Sequence, residues 1–221
     1  MTRNAKISLG IVLVVVLAGL TWFLAPDGFL GKSDQQAAAQ PGTAAATAAR
    51  PDSHRLTNVV DGKVTFVEFL DFECEACRSV YPAIEQLRSE YGDRVSFVVR
   101  YFPIQSHFNA ERAARAVEAA AQQGRFEQMY QRMYETQAEW GEQQVPMDDR
   151  FRGYAADLGL DLAEYDRVYA APQTLERIRA DVADGQALGV TGTPTFFLNG
   201  ERLQPKTFGD LTAALDAALA R

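Results

Sequence analysis

The two cysteines of the chain lie three residues apart, as Cys74 and Cys77 in the tetrapeptide Cys-Glu-Ala-Cys. Side chains at this spacing lie on one face of a helix, at a Cα separation that a disulfide bond tolerates. A thiol at the first position of a helix has a lowered pKa, because free N–H groups and the helix dipole stabilise the thiolate. The spacing therefore predicts a redox pair, with Cys74 as the attacking sulfur and Cys77 as the more buried, resolving sulfur.

Two other uses of the cysteines, a structural disulfide and a zinc site, agree less well with the sequence. A bridge across so short a loop removes little entropy from the unfolded chain and so adds little stability. A four-ligand zinc site would need both histidines of the chain, His54 and His107. These two lie far apart in the sequence, without the short spacing of paired zinc ligands, and we predict no metal site.

The cysteines fall between a predicted strand and a predicted helix. Residues 64–70 and 95–102 are rich in β-branched and aromatic side chains, which is typical of buried strands. Between them, apolar residues recur every three or four positions, and Gly92 follows as the predicted end of a helix. This order of elements predicts a βαβ unit with parallel strands.

Helical patterns dominate the next part of the chain. Asn109 is predicted to cap a helix, and helices are predicted over residues 110–123, 126–138, 151–158 and 174–188. Residues 195–198, followed by Asn199 and Gly200, predict a strand that enters a type I′ hairpin. A final amphipathic helix carries Leu211, Leu215 and Leu219.

The N-terminal part of the chain has the pattern of a membrane anchor followed by a tether. Residues 7–25 are almost all apolar and, as one helix, would cross the roughly 30 Å core of a bilayer. Arg3 and Lys6 precede them, so residues 1–6 are predicted to be cytoplasmic and the rest extracytoplasmic. A cleaved signal peptide is the alternative, but its apolar region is usually shorter. Residues 26–57 are predicted to be a flexible linker.

Charge and length limit the function further. The net charge of -7 argues against nucleic-acid binding, because a protein that neutralises phosphates generally needs a basic face. The remaining residues, 58–221, suffice for one catalytic domain. We therefore expect proteins or small molecules as partners, with no nucleic acid.

Several segments resemble the DsbA-like thiol-disulfide oxidoreductases. Residues 67–77, Val-Glu-Phe-Leu-Asp-Phe-Glu-Cys-Glu-Ala-Cys, resemble the active-site strand and helix start of that family. Pro82 matches a proline inside the active-site helix, and residues 192–197, Gly-Thr-Pro-Thr-Phe-Phe, match a loop with a cis-proline. Residues 109–189 match the family's helical insertion. The resemblance implies an α/β fold, a thioredoxin fold with an inserted helical subdomain. The apolar segment over residues 7–25 adds one transmembrane helix before it.

The resemblance also implies roles for residues near the cysteines. Pro194 would present the backbone of Thr193 to an extended substrate segment beside Cys74. Glu68 falls where the family often has a buried acid. An acid in an apolar strand would have a raised pKa and could exchange a proton with Cys77, although a partly solvated carboxylate is the alternative.

The residues around the nucleophile are expected to set its redox potential. Glu75 and Ala76 lie between the cysteines, and Asp71 and Glu73 precede them. Treated as exposed groups, the carboxylates should oppose a thiolate only weakly. We therefore expect a moderately lowered pKa for Cys74.

The activity implied is that of a membrane-anchored, extracytoplasmic disulfide oxidase. Its disulfide would accept electrons from cysteines of exported proteins, a membrane redox partner would reoxidise it, and no cofactor is needed. A reductase or isomerase of the same fold is one alternative. A non-catalytic, tethered thioredoxin-like binding module is another, although such a module has no need of both cysteines, Pro194 and Glu68.

Overall fold

A computed structural model describes residues 47–60 and 62–221. The predicted anchor over residues 7–25 and the cytoplasmic residues 1–6 lie outside the described residues. Within the described ranges, no helix is both long and apolar enough to cross a bilayer.

The centre of the described part is a mixed sheet of five strands. The strands are β1 (His54–Arg55), β2 (Val64–Leu70), β3 (Val95–Tyr101), β4 (Thr195–Leu198) and β5 (Glu201–Leu203). Their order across the sheet is β1-β3-β2-β4-β5, in which β2 and β3 are parallel and the other pairs antiparallel. The predicted βαβ unit is therefore confirmed at the centre of the sheet.

Helices connect and cover the strands. Helix α1 (Glu75–Tyr91) joins β2 to β3 and has Pro82 inside it. Between β3 and β4 the chain forms α2 (Ala110–Ala121), α3 (Phe126–Trp140), α4 (Asp148–Asp157), α5 (Leu162–Ala170) and α6 (Pro172–Ala187). Helix α7 (Phe208–Leu219) ends the domain, opened by a capping box between Thr207 and Asp210. A thioredoxin-like α/β fold with helices inserted before β4 is thus observed.

Alternation along β2 puts two different sets of side chains on the two faces of the sheet. Phe66 and Leu70 belong to the core cluster that also contains both cysteines and the helical insertion. Val67 and Phe69 belong to a second cluster on the opposite face. Glu68 shares the face of Phe66 and Leu70, so its carboxylate points to the side of the cysteines.

The prediction that residues 26–57 form a flexible linker is wrong for residues 47–57. Strand β1 pairs with β3, and Ala48 and Leu56 are buried. The guanidinium of Arg100, which is fully buried, donates to the carbonyl oxygens of Thr47 and Ala48 at 2.6 and 2.8 Å. This buried charge needs polar partners, and the backbone before β1 supplies two of them beside the carboxylates of Asp181 and Asp184.

Turn residues gave mixed predictions. The hairpin at Asn199 and Gly200 is confirmed, since both have the positive φ, 51° and 85°, of a type I′ turn. Asn109 is the N-cap residue of α2, as predicted, but its side chain makes no capping hydrogen bond to that helix. Its amide instead donates to the carbonyls of Gln143 and Val145, and its oxygen accepts from the N–H of Met147.

Candidate active site

Cys74 stands at the first turn of α1, as the residue that precedes its first helical position. The strand β2 ends at Leu70, and a tight turn closed by the Cys74 N–H and the Asp71 carbonyl (3.2 Å) leads into the helix. Cys77 follows one turn later and is 1% exposed, against 7% for Cys74. Both cysteines are free thiols. The structure therefore places the more accessible sulfur at the helix start, as the spacing predicts.

The two thiols have pKa values shifted in opposite directions. Hydrogen bonding from Cys77 is the largest cause that lowers the pKa of Cys74 from 9.0 to about 5; burial opposes it, while Thr193 and the helix N–H groups assist. Burial is the largest cause that raises the pKa of Cys77 well above 9.0. The lowering at Cys74 exceeds the moderate shift expected from the sequence. At neutral pH Cys74 is a thiolate and Cys77 a thiol.

Glu68 lies beneath the pair in the middle of β2. Its side chain is buried. Burial, followed by the charges of Cys74 and Glu85, raises the pKa of Glu68 from 4.5 to about 8. Its charge in turn helps to raise the pKa of Cys77. A buried acid titrating near neutral pH beside a leaving thiolate has the properties of a proton donor and acceptor.

The loop before β4 brings a peptide backbone to the nucleophile. The peptide bond between Thr193 and Pro194 is cis. The carbonyl oxygen of Thr193 lies 3.4 Å from the Sγ of Cys74. Pro194 and Thr195 continue into a groove lined by apolar residues of α1, β5 and α7, including Val80, Leu203 and Phe208. An extended segment of a substrate protein that reaches Cys74 can therefore lie along this loop.

The acidic residues near the nucleophile are not the exposed charges that the sequence suggested. Asp71 and Glu73 are buried, at 1% and 2% exposure, and only Glu75 is exposed. Asp71 accepts hydrogen bonds from the N–H groups of Glu73 and Ile104 and from His107. Glu73 accepts from two N–H groups across the insertion, and burial raises its pKa. The carboxylates of Asp71 and Glu73 are thus part of the site and connect its loops by hydrogen bonds.

Gln137 of α3 is a residue of the site that sequence reasoning missed. Its side-chain amide is buried and donates to the carbonyls of Phe72 and Cys74, at 2.6 and 3.0 Å. The neighbouring Tyr134 hydroxyl donates to the carbonyl of Asp71 at 3.4 Å. The inserted helix therefore fixes the turn that carries the nucleophile. A glutamine in a helix gives no sequence signal for such a contact, because the partner lies far away along the chain.

His107 contacts the acidic groups of the site. Its Nδ1 lies 2.6 Å from the buried carboxylate of Asp71. His107 and Cys74 line the same cleft, together with Glu75 and Ala76, the two residues between the cysteines. The predicted residues Cys74, Cys77, Glu68, Thr193 and Pro194 are therefore brought together with one histidine in addition. Among the described residues, no group of three or more His, Cys, Asp and Glu side chains is arranged to hold a metal ion.

Comparison with known proteins agrees with this geometry. A family model described as Thioredoxin matches residues 60–217, which is most of the chain. The chain belongs to the thioredoxin family. The fold, with helices inserted between β3 and β4, is DsbA-like and supports a function in thiol-disulfide exchange.

Solved structures of thioredoxin-like proteins superpose on most of this chain. A thioredoxin-like oxidoreductase from Silicibacter pomeroyi is 28% identical, with a TM-score of 0.65 over 77% of this chain and 94% of that one. The thiol-disulfide exchange protein alpha-DsbA2 from Wolbachia pipientis is 18% identical, with a TM-score of 0.66 over 81% and 98%. Alpha-DsbA1 from the same organism is 16% identical, with a TM-score of 0.68 over 78% and 93%. The last two comparisons concern the fold alone.

Curated relatives of similar sequence are much longer proteins. The Na⁺/H⁺ antiporter NhaA 1 of Mycobacterium sp. (strain KMS) is 35% identical over 174 residues, which are 76% of this chain and 27% of the antiporter. The antiporter NhaA of Herminiimonas arsenicoxydans is 34% identical over 173 residues, 76% of this chain and 26% of that protein. The chain thus spans about a quarter of the length of these relatives.

Proposed function

We propose that this thioredoxin-family protein is a disulfide oxidase that introduces disulfide bonds into exported proteins through Cys74 and Cys77. One observation carries the proposal. Cys74 is a low-pKa thiol at a helix start, in contact with the carbonyl of Thr193, and is backed by a buried thiol of high pKa. This asymmetry is what dithiol-disulfide exchange requires of a nucleophile and a resolving thiol.

Oxidation of a substrate proceeds by two exchanges. In the first, a substrate thiolate attacks the Sγ of Cys74 in the enzyme disulfide, the bond to Cys77 breaks, and Cys77 leaves as a thiolate. In the second, another substrate thiolate attacks the substrate sulfur of the mixed disulfide, and Cys74 leaves. Two electrons pass from the substrate dithiol to the enzyme, which becomes the dithiol.

Glu68 is proposed to donate a proton to Cys77 in the first exchange. Burial is the largest cause that raises the pKa of Glu68, and it acts in the disulfide form as well, so Glu68 can hold a proton at neutral pH and give it to the departing thiolate of Cys77. Cys74, with a pKa of about 5, stays a thiolate when it is released. Glu68 then regains a proton from one substrate thiol, so the enzyme keeps one of the two substrate protons and the other is released to solvent.

The direction of the reaction is argued from the stability of the thiolate. A thiol-disulfide protein whose released thiolate is stable is a strong oxidant, and nucleophile pKa values run from about 7 in thioredoxin to about 3.5 in DsbA. The pKa of about 5 for Cys74 lies between them. It supports an oxidant stronger than thioredoxin. We propose in addition that a disulfide of a membrane partner reoxidises the pair.

The location is proposed from the N-terminal sequence. Residues 7–25 would be an uncleaved anchor, with Arg3 and Lys6 on the cytoplasmic side. Exported substrates and a membrane-held oxidant are then both within reach of Cys74. Na⁺/H⁺ antiport is named for the relatives of which this chain spans about a quarter.

Oxidative refolding tests the proposed function. A reduced, unfolded protein with one native disulfide is incubated with the oxidised full chain, and the substrate disulfide is followed by alkylation and mass. We expect stoichiometric oxidation by the wild-type protein and none by Cys74→Ala. Substrate that stays reduced with the wild-type protein would contradict oxidase activity, and reduction of an already formed disulfide by the dithiol form would favour a reductase.

A further inference from the structure

His107 occupies a defined position beside the nucleophile, in the loop between β3 and α2. Its Nδ1 is 2.6 Å from Oδ2 of Asp71, whose side chain is 0% exposed, while the histidine side chain is 32% exposed. His107 and Cys74 line one cleft. The imidazole is thus tied to the interior on one side and open to the active-site cleft on the other.

The buried carboxylate of Asp71 favours the protonated, charged form of the His107 imidazole. This buried carboxylate lies three residues before Cys74 and accepts the N–H groups of Glu73 and Ile104 at 2.8 and 2.9 Å. Among the described residues, His107 is the one side chain able to be a cation within hydrogen-bond distance of it. A buried carboxylate with a counter-ion is much less costly than one without, so protonation of His107 is favoured.

We propose that His107, held by Asp71 as an imidazolium, is the positioning residue that supplies the positive charge for the Cys74 thiolate. The proposal deepens the proposed function and rests on it, because it explains how a nucleophile surrounded by carboxylates is nevertheless stabilised as an anion. The imidazolium acts twice, by attracting the thiolate and by cancelling the charge of Asp71, which would otherwise repel it.

The electrostatics of the site agree in sign with this assignment. The hydrogen bond to Asp71 is the largest cause that raises the pKa of His107 above 6.5; burial opposes it, and the charges of Asp71, Cys74 and Glu73 assist. Coupling between two sites is reciprocal. If the thiolate of Cys74 favours protonation of His107, the imidazolium favours the thiolate by the same factor.

Other charged groups that face His107 come from each element around it. The cleft shared with Cys74 contains carboxylates from the helix start and from the segment after α3: Glu73, Glu75 and Glu142. The cleft on the other side of the imidazole contains groups of α2 and α6: Glu111, Arg112 and Arg179. Arg112 is paired with Asp148 and lies over the ring of Phe108. Carboxylates thus outnumber guanidinium groups, and the imidazolium is the favoured form.

A redox-dependent proton on His107 follows. When Cys74 enters a disulfide its negative charge disappears, and the pKa of His107 must fall. Between the pKa values of His107 in the disulfide and in the dithiol form, reduction of the pair binds additional protons at His107. In that pH range the oxidising power of the pair should decrease more steeply as pH rises.

Proton NMR of the two histidines tests the coupling in the unaltered protein. The full chain, labelled at histidine, is titrated in detergent as the dithiol and as the disulfide formed with diamide. We expect the pKa of His107 to be lower in the disulfide by about one unit, a tenfold change in proton affinity. His54 is a matched internal control, because it too pairs with a carboxylate, Glu118 at 2.6 Å, but does not line the cleft of Cys74. Equal titration of His107 in both forms, or equal shifts of both histidines, would overturn the proposal.

Variants give the reciprocal measurement on the thiol. Thiolate absorbance against pH should show the pKa of Cys74 raised by about one unit in His107→Gln and unchanged in His54→Gln. His107→Lys, which keeps a cation, should retain the low pKa. The equilibrium with glutathione should shift about tenfold toward the disulfide in His107→Gln, which corresponds to about 30 mV. An unchanged thiol pKa and an unchanged equilibrium in His107→Gln would overturn the proposal.

Neither diamide nor glutathione is a protein substrate. Loss of the coupling is therefore distinguishable from failure of the proposed function, which is measured by substrate refolding.

Discussion

Cys74 and Cys77 lie one helical turn apart, yet their environments favour opposite protonation states. Cys74 receives hydrogen bonds at the start of α1, whereas Cys77 is enclosed by the core and close to Glu68. The result is one reactive thiolate and one protected thiol in a single short motif. The roles of attacking and resolving sulfur are assigned to the two residues on this difference.

Substitution of the two cysteines should separate these roles. Cys77→Ala is expected to accumulate mixed disulfides through Cys74, because no resolving thiol releases them. Cys74→Ala is the matched control and should trap few, since the remaining thiol is buried and protonated. Non-reducing gels of alkylated extracts measure both. Equal trapping by the two variants would contradict the assignment.

Glu68→Gln should change how the rate of disulfide exchange depends on pH. At low pH, the rate itself should change less. The raised pKa means that folded dithiol protein holds a proton on Glu68 between about pH 4.5 and 8 that the unfolded chain has lost. The stability of the wild-type protein should therefore decrease as pH rises through this range, and the variant should lose that decrease. Stopped-flow rates and urea unfolding at several pH values measure both effects.

An unchanged pH–rate profile in Glu68→Gln would remove Glu68 from the mechanism. A changed stability profile with an unchanged rate profile would show a buried acid without a catalytic role. The two readouts therefore distinguish a proton carrier from a merely buried carboxylate.

Local sequence was sufficient for the redox pair and insufficient for its charged surroundings. The spacing of the cysteines and the apolar strand around Glu68 carry their own physical meaning, and both are observed in the structure. The burial of Asp71 and Glu73 depends on N–H donors from the segments after β3 and α3. No local pattern reveals such donors, so the sequence alone predicts exposed carboxylates.

At the scale of elements, the helical insertion is part of the site rather than an addition to it. Gln137 of α3 holds the carbonyls on both sides of Glu73 in the active-site turn. Glu73 itself accepts the N–H groups of Asn109 before α2 and of Glu142 after α3. The orientation of the helix start at Cys74 is therefore fixed from the insertion as well as from the sheet.

The segment before β2 should be needed for stability. A chain that begins at residue 58 lacks β1 and both carbonyl partners of Arg100, whose guanidinium then keeps only its carboxylate partners Asp181 and Asp184 among those observed. Loss of two hydrogen bonds to a buried charge costs about 3 kcal/mol or more. We expect the free energy of unfolding, measured in urea, to be lower by this amount than that of a chain that begins at Thr47. Equal stability of the two chains would restore the linker boundary predicted from the sequence.

The elements that escaped prediction share a physical cause. Strand β1 has two residues and no alternation, and it exists because β3 offers it an open edge. Helix α5 is nine residues long and is stabilised by packing and by the cap at Asp161. Tertiary contacts decide such short elements, whereas β2, β3 and α1 have long periodic patterns that decide their own structure.

At the scale of the whole molecule, the proposed anchor determines which compartment Cys74 meets. Protease added to intact spheroplasts should remove the domain and leave a short N-terminal fragment, because Arg3 and Lys6 favour a cytoplasmic N-terminus. A cytoplasmic protein serves as the control for intactness. Full protection of the domain would place it on the other side of the membrane.

The redox potential of the Cys74–Cys77 pair tests the central claim most directly. Because the pKa of Cys74, about 5, lies between those of thioredoxin and DsbA, the potential should lie between their values of about -270 and -120 mV. The full chain is equilibrated with glutathione buffers, quenched with acid, and the fraction of disulfide measured by alkylation and mass. A potential inside this interval is the predicted result. A potential at or below that of thioredoxin would contradict an oxidase and assign the same pair to reduction.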